Sequence, residues 1–416
     1  MDFGKLGFGF LRLPQNGDGT VDLETTKKMV DLYLSRGFRY FDTAYIYQNG
    51  KNEEYLRQTL VERHPRESFL IADKLPCGYL RSGRTAQEIF EDQLRKCGVE
   101  YFDVYLLHGL DGEDAAYAEE MGCFDFLAEQ KRLGRVRYTG FSFHDTAEVL
   151  DSILTRHPEV DVVQLQLNYL DWDNPIIQSG ACWEVCRKHG KPMLVMEPVK
   201  GGTLAAIPAE AEALLHGEAP AHRALRFAAS REGVVTVLSG MSTVAQVEEN
   251  TQIFSDFHPL TGEEEAVLQE VAGIIRRAVA VPCTACGYCL SGCPAGIAIP
   301  QLFALYNEHR RDGWQANAAE RYRAVNSAPA SACMACGQCE SSCPQKLPIV
   351  GGFNAQHYCT DQATEESILA DMEQTFAVLA PGNCFVPLCF AIYSKHLPFI
   401  GQQLVRLANK YHNPRP

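Results

Sequence analysis

Phe69-Leu-Ile-Ala72 is a short apolar run. Ala86-Gln-Glu-Ile-Phe-Glu-Asp-Gln-Leu-Arg-Lys-Cys97 repeats its apolar residues every three to four positions, and Val104-Tyr-Leu-Leu107 is apolar again. Strand, helix and strand in that order predict a right-handed βαβ unit, whose two strands lie parallel in one sheet. The alternation continues in both directions. Strand-like runs fall at Leu6–Gly9, Arg39–Phe41, Tyr138–Phe141, Val162–Leu165, Met193–Met196 and Val235–Leu238, with helical spacing at Thr25–Ser35, Glu53–Val61 and Ala147–Leu154. Eight such runs over about 250 residues predict an α/β fold, a (β/α)8 or TIM barrel. A doubly wound dinucleotide-binding sheet is the competitor. It requires a glycine-rich fingerprint directly after an early strand, and none follows Leu6–Gly9.

The barrel is expected to span residues 1–258 of the 416. A helix over Gly262–Ala278, with Glu263–Glu265 at its start and Arg276–Arg277 at its end, predicts a connector at 259–280. Composition then changes: residues 278–307 carry no charge and are rich in Cys, Gly and Pro. An iron–sulfur domain is expected over 281–360, and a helix with an apolar tail over 361–416. The formal net charge of −14 argues against a nucleic-acid partner, which would need a basic patch. Residues 281–416 hold acidic and basic side chains in equal number, so the acidic excess belongs to the barrel region. No basic and apolar leader opens the chain, and the uncharged stretch Phe376–Ser394 is broken by Pro381, Gly382 and Pro387. A secreted protein and a membrane span are therefore not expected, and a cytoplasmic location is.

Sixteen cysteines are too many for chance and too regularly placed for a secreted disulfide framework. Cys283, Cys286, Cys289 and Cys293, followed by Pro294, form C-x2-C-x2-C-x3-C-P; Cys333, Cys336, Cys339, Cys343 and Pro344 repeat it. This is the bacterial [4Fe–4S] ligation run, in which the fourth cysteine of each motif ligates the other cluster. Two clusters are expected, one on Cys283, Cys286, Cys289 and Cys343, the other on Cys333, Cys336, Cys339 and Cys293. Zinc sites are the alternative, but they take paired C-x2-C units rather than a run of four. The helical insert of about 299–325 suits an α-helical ferredoxin. Cys97 reads as core, Cys182 and Cys186 as core neighbours on one helix, and Cys77 as the thiol nearest the active face.

Catalytic groups of such a barrel sit at the C-terminal ends of its strands. There the sequence places Asp42 after the second strand, with Tyr47 beyond it, Lys74 after the third and His108 after the fourth. A carboxylate, an ammonium and an imidazole on successive strand ends, with a phenol close by, have no simple structural explanation.

These stretches resemble the aldo/keto reductases. Tyr40-Phe-Asp42-Thr-Ala-Tyr45-Ile-Tyr47-Gln-Asn-Gly50-Lys-Asn-Glu53 is similar to the family's Asp/Tyr segment, Asp73-Lys74 to its lysine strand, and Asp103-Val-Tyr-Leu-Leu-His108 to its histidine strand. Leu6-Gly-Phe-Gly9 with Arg12-Leu-Pro14 fits its opening. With the cysteine motifs, the chain resembles the ferredoxin-containing branch. The resemblance implies an oxidoreductase that reduces a carbonyl, or oxidises an alcohol, with hydride from NAD(P)H. Tyr47 would be the general acid, Lys74 would lower the phenol's pKa from about 10, Asp42 would hold Lys74, and His108 would orient the substrate oxygen.

The resemblance also implies a nicotinamide site. Ser142 and Gln164 match the carboxamide-binding pair, and Met196 stands where many members place an aromatic ring. Gly201 and Gly202 suit close approach to a phosphate. Ser239-Gly240-Met241 and Gln246 to Glu249-Asn250 match the adenosine end. Gln246 and Gly240 occupy the positions of the usual 2′-phosphate arginine and lysine, so no strong NADP preference is expected. A second reading makes the protein an electron carrier or single-electron reductase, whose clusters serve a substrate or a redox partner such as ferredoxin at the barrel. A third makes the cluster domain purely structural. The expected ligand is a small carbonyl or alcohol, whose identity the sequence leaves open.

Overall fold

The protein is described by a computed structural model covering residues 1–312, 317–325 and 327–350. The helix and apolar tail expected at 361–416, with Cys359, Cys384 and Cys389, lie outside the described residues, as does the end of the domain expected at 281–360. Two compact units are present, Met1–Ile275 and a second that begins at Arg276, inside the helix Leu268–Ala278.

Among the described residues, eight parallel strands close the first unit into a barrel in sequence order. They are β1 (Leu6–Gly9), β2 (Tyr40–Asp42), β3 (Leu70–Leu75), β4 (Phe102–Leu110), β5 (Val136–Phe143), β6 (Val162–Gln166), β7 (Met193–Met196) and β8 (Val234–Ser239). All eight predicted runs are strands, most of them longer than predicted. β4 runs past Leu107 because its ladder with β5 shifts register and resumes at Leu110–Phe143. Arg39 lies outside β2; its guanidinium reaches the Asp2 carbonyl instead.

Side chains from strands around the barrel, including Tyr40, Ala72, Leu106, Val162 and Leu194, form one buried core cluster. Gly140 permits the closest approach: a Cβ there would collide with the Val162 carbonyl on β6. The helix Leu23–Ser35 starts on Asp22, whose carboxylate accepts from the Thr25 amide, and Ala86–Cys97 starts on a Thr85–Glu88 capping box. The segment predicted as one helix over Glu53–Val61 is a short helix, Asn52–Leu56, running into a π-helical turn, Arg57–Val61. Likewise Gly262–Ala278 divides at Val267 into Gly262–Ala266 and Leu268–Ala278.

In the second unit the two cysteine motifs repeat one backbone path. Ala285 and Ala335 have φ of +52° and +57°, and Gly287 and Gly337 have φ of +81° and +76°. Each glycine leads into a single helical turn, Tyr288–Ser291 or Gln338–Ser341. Between the motifs lie the helices Ile299–Asp312 and Ala318–Ala324, and Ile297 bridges Ala328 in parallel. Among the described residues no helix is long and apolar enough to cross a membrane.

Candidate active site

The C-terminal ends of β2, β3 and β4 bring Asp42, Lys74 and His108 together, and the turn after β2 returns Tyr47 to them. Lys74, penultimate in β3, is almost fully buried. Its Nζ donates to Asp42 Oδ1 at 2.6 Å and to the Thr43 carbonyl at 2.7 Å, and lies 3.5 Å from the Tyr47 hydroxyl. The ammonium is 5.1 Å from the centre of the Tyr47 ring. Burial pushes the Asp42 carboxyl above its ordinary range, against the pull of Lys74. Tyr47 and His108 meet edge to face with ring centroids 5.9 Å apart. Burial first, then the charges of Lys74 and His144, hold His108 well below the ordinary histidine range, so its imidazole is neutral at neutral pH. A neutral imidazole can donate one N–H and accept at the other nitrogen.

The loop carrying Tyr47 is fixed from beneath. Asn52 Nδ2 donates to the Phe10 carbonyl at 3.0 Å, the Thr43 hydroxyl donates to Asn52 Oδ1, and Gln48 Nε2 reaches the Leu11 carbonyl at 2.6 Å. Gln48 and Asn49 take positive φ, which lets the chain turn within three residues of Tyr47.

The residues matched to a nicotinamide site also lie at this end of the barrel. Ser142 pairs in register with Gln164 across β5 and β6, and its hydroxyl accepts from the Gly109 amide at 2.7 Å. Gln164 is buried, and its Oε1 has no hydrogen-bond donor from the protein. An orphaned buried acceptor fits a carboxamide N–H. Met196 ends β7 half-buried, and Gly201 and Gly202 follow in a tight turn with φ of +63° and +99°. After β8, Met241 is buried and Asn250 Nδ2 donates to Ser239 Oγ at 2.9 Å. Gln246 and Glu249 are exposed in the first turns of the helix Val244–Ser255, and Gln246 Oε1 accepts from the Ser242 amide at 2.7 Å. At Gly240 the stem of Arg12 crosses the backbone: its Cβ, Cγ and Cδ lie 3.1–3.2 Å from where a Cβ would sit.

In the second unit Cys289, Cys333, Cys339 and Cys343 are buried, Cys283, Cys286 and Cys293 half-buried and Cys336 exposed. Burial and the neighbouring Cys286, Cys283 and Cys343 thiols push the Cys289 thiol up to about 12. Two cysteines of the first motif and the last of the second thus each lie near Cys289. Backbone amides already face the sulfurs: Ala285 donates to Cys283 Sγ at 3.4 Å and Ile297 to Cys293 Sγ at 3.5 Å. Such N–H···S bonds stabilise cluster thiolates.

Residues 5–272 match the family model described as the aldo/keto reductase family, and residues 282–347 match a 4Fe-4S dicluster domain. The chain belongs to the aldo/keto reductase family. It is an oxidoreductase that carries a C-terminal 4Fe-4S domain. Among relatives, it is 26% identical to a 9,11-endoperoxide prostaglandin H2 reductase of Trypanosoma cruzi, across 63% of this chain and 88% of that one. It is 29% identical to an aldo-keto reductase of Mycobacterium avium, across 58% and 81%. An aldo-keto reductase from Bacillus halodurans (holo form) superposes with a TM-score of 0.52 at 24% identity, over 64% of this chain and 91% of that one. One from Klebsiella pneumoniae in complex with NADPH gives 0.53 at 19%, over 64% and 90%. These structures share its fold.

Among the described residues, the cysteines of this aldo/keto reductase outside the two motifs are all buried. The Cys123 thiol and burial push the Cys77 thiol well up, which keeps it protonated and inert at neutral pH. Cys182 and Cys186 are buried on one helix, and burial raises both thiols, Cys182 to about 12. Sequence reading missed the buried pair formed by Lys200 and Asp171, 2.6 Å apart behind the β7 turn. It also missed Gln93, which donates to the Lys74 carbonyl at 3.0 Å. Both contacts cross between elements, so only the unusual polar residue inside an apolar helical face signalled Gln93.

Proposed function

We propose that the barrel reduces a small-molecule carbonyl to an alcohol, or runs the reverse, with NAD(P)H, and that the second unit carries two [4Fe–4S] clusters. The observation that carries the first part is Lys74, held between Asp42 and the Tyr47 hydroxyl beside a neutral His108. Nicotinamide, when bound, supplies a hydride to the carbonyl carbon. The chain's own residues handle the oxygen. His108 donates an N–H to it and fixes its direction, and Tyr47 gives up its hydroxyl proton to it. Lys74 stabilises the phenolate left behind, while Asp42 and the Thr43 carbonyl stop the ammonium from swinging away. Gln164, with its orphaned Oε1, and Ser142 fit the carboxamide of the cofactor.

The nearness of Cys343, as well as Cys283 and Cys286, to Cys289 supports crossed ligation of one cluster by these four, with Cys293, Cys333, Cys336 and Cys339 left for the other. It also favours a second reading. A cluster of this kind moves single electrons and a nicotinamide moves a pair, so the clusters would serve a substrate or redox partner directly. Anaerobic protein titrated with NADH or NADPH, with and without a panel of aldehydes and ketones, separates the two. Stoichiometric alcohol formed while the clusters stay oxidised by electron paramagnetic resonance supports the hydride reading. Reduction of substrate only when dithionite has reduced the clusters overturns it.

A further inference from the structure

β2 ends sooner than β3. Their ladder stops at the pair Asp42–Ala72, where the Thr43 amide donates to the Ala72 carbonyl at 3.0 Å. Two residues on, the same edge of β3 presents the Lys74 carbonyl, and no residue of β2 remains to meet it. A buried carbonyl needs a partner. Gln93, on the helix Ala86–Cys97, supplies it: its Nε2 donates to the Lys74 carbonyl at 3.0 Å. The Tyr105 hydroxyl of β4 donates to Gln93 Oε1 at 2.5 Å, and both side chains are fully buried. A flipped amide would set its oxygen against the Lys74 carbonyl, so the orientation is forced. The Asp73 carboxyl accepts from the Lys74 amide at 2.8 Å, so the main chain of the lysine is held on both sides.

One turn further along the same helix, Lys96 holds the segment that carries Tyr47. Its Nζ donates to the Gly50 carbonyl at 3.2 Å, and Gly50 closes the turn Tyr47–Gly50. It pairs at 3.2 Å with Glu53, just after that turn, and lies 4.0 Å from the centre of the Tyr45 ring, just before it. Asp92 of its own helix is 3.6 Å away. Lys96 therefore touches the chain on both sides of Tyr47. Gln93 and Lys96, three residues apart, are neighbours on one helix face.

We propose that Gln93 and Lys96 are positioning residues that set the distance between the Tyr47 hydroxyl and the Lys74 ammonium, with the helix Ala86–Cys97 as a splint across the two. The inference rests on the reading above of Tyr47 as the acid and of Lys74 as the charge that tunes it. Hydroxyl and ammonium are 3.5 Å apart, at the outer limit of a hydrogen bond. At that separation the ammonium acts on the phenol chiefly as a charge, and its effect falls with distance. With an effective dielectric of about 20, each extra ångström moves the phenol's titration by about 0.5–1 pH unit. Asp42 and the Thr43 carbonyl hold the tip of the lysine, but neither ties its strand to the tyrosine turn. Gln93 and Lys96 bind the strand and the turn to one element.

The titration of the phenol itself decides this, with no cofactor or substrate added. Full-length, cluster-loaded protein, its tyrosines labelled with carbon-13 at the ring carbon bonded to oxygen, is titrated under nuclear magnetic resonance, and Tyr47→Phe assigns the Tyr47 signal. Gln93→Met changes no charge and should raise the Tyr47 midpoint by about 0.5–1 pH unit. Tyr105→Phe, which frees only the Gln93 amide, should raise it by less. Lys96→Met should also raise it, and Lys96→Arg should keep it close to wild type. In the Asp42→Asn/Lys74→Met background all these shifts should vanish, since no ammonium remains to be held at a distance. An unchanged midpoint in folded Gln93→Met, or in Lys96→Met, overturns the role given to that residue. If Gln93→Met does not fold, an unchanged midpoint in Tyr105→Phe overturns the role of Gln93 instead. Shifts that persist without Lys74 overturn the inference, because the helix would then act on the phenol directly. A wild-type midpoint no lower than that of the background overturns the reading of Lys74 and the inference with it.

Discussion

Lys74 and Asp42 form an ion pair 2.6 Å apart with almost no contact with water. A pair in that setting adds little net stability, yet removing one member leaves an uncompensated buried charge, at a cost of about 3–5 kcal/mol. Asp42→Asn should therefore lower the unfolding free energy of the barrel by about that much. Lys74→Met added to it should recover most of the loss, because the orphan charge is gone. Both proteins should be inactive in carbonyl reduction. Urea denaturation of the two single variants and the double variant measures the effect. Additive losses in the double variant would show that the two side chains do not act as a pair.

Tyr47→Phe removes a hydroxyl 3.5 Å from the Lys74 ammonium and leaves the ring against His108. Carbonyl reduction should fall by about 10²–10⁴-fold, the usual worth of a positioned general acid. Dinucleotide binding should be unchanged, since Tyr47 is not among the groups proposed to hold the cofactor. Steady-state kinetics beside calorimetry checks both halves. Unchanged turnover in the Phe variant, with any substrate that the wild type reduces, would assign the proton to another group.

The eight strands, and the places of Asp42, Lys74 and His108 near the ends of three of them, were legible because period, length and turn chemistry are local properties. Lys74 and His108 could be placed by counting along an apolar run. What sets their environment could not. Asn52 holds the Tyr47 loop through the Phe10 carbonyl, 42 residues away in sequence, and Arg12 after β1 meets Gly240 after β8, the first and last strands of the barrel. Such contacts depend on barrel closure, which no window of sequence contains. The break at Val267 and the π-helical turn after Leu56 were hidden for a different reason: both keep the apolar spacing of a continuous helix while changing the backbone path.

Asp73 lies fully buried beside Lys74 on β3, its carboxyl against that of Glu53. Burial and the Glu53 charge push it well above the ordinary carboxylate range, while the Lys74 amide donates to Oδ1 at 2.8 Å. The Cys97 thiol lies 3.7 Å from Oδ2, and Lys96 faces Glu53 at 3.2 Å. Glu53 is itself raised, mainly by burial. The native state thus keeps a proton that the unfolded chain releases near pH ~4. The resulting stability is complete below that pH and is lost as pH rises through the higher native value. Asp73→Asn carries its donor permanently. Its stability relative to wild type should therefore be poorest in acid and should improve from about pH 4 upward. Chemical denaturation across that range tests it, and a gap that widens in alkali would mean the pair is ionised in the folded protein.

Cluster content tests the crossed ligand sets. Anaerobically prepared protein should contain about eight iron and eight sulfide per chain. Cys343 belongs in sequence to the second motif but neighbours Cys289 of the first. Cys343→Ser should therefore disturb the same paramagnetic signal as Cys283→Ser, and Cys293→Ser the same signal as Cys333→Ser. Damage that follows the motifs in sequence would mean that each motif binds its own cluster. About four iron per chain, or stoichiometric zinc, would defeat the two-cluster reading altogether.

Cofactor choice follows from what stands after β8. Gln246 is neutral and exposed, and its Oε1 accepts from the Ser242 amide. Gly240 has no side chain, and the space beside it is filled by the stem of Arg12. A 2′-phosphate there lacks the cationic fork that would add about 1.5–3 kcal/mol, or roughly ten- to a hundredfold in affinity. NADH and NADPH should therefore bind within about tenfold of each other. Gln246→Arg should shift that balance by tightening NADPH about tenfold or more while leaving NADH unchanged, because an arginine in the first turn of the helix Val244–Ser255 can present its fork to solvent-facing phosphate oxygens. The substitution is at an exposed position, so folding should not be at issue. Side-by-side dissociation constants for wild type and Gln246→Arg measure it. A wild-type protein that already prefers NADPH by much more than tenfold would mean that another cation reaches the 2′-phosphate. Arg12 would then be the first to replace, since its loss would weaken NADPH alone rather than both cofactors.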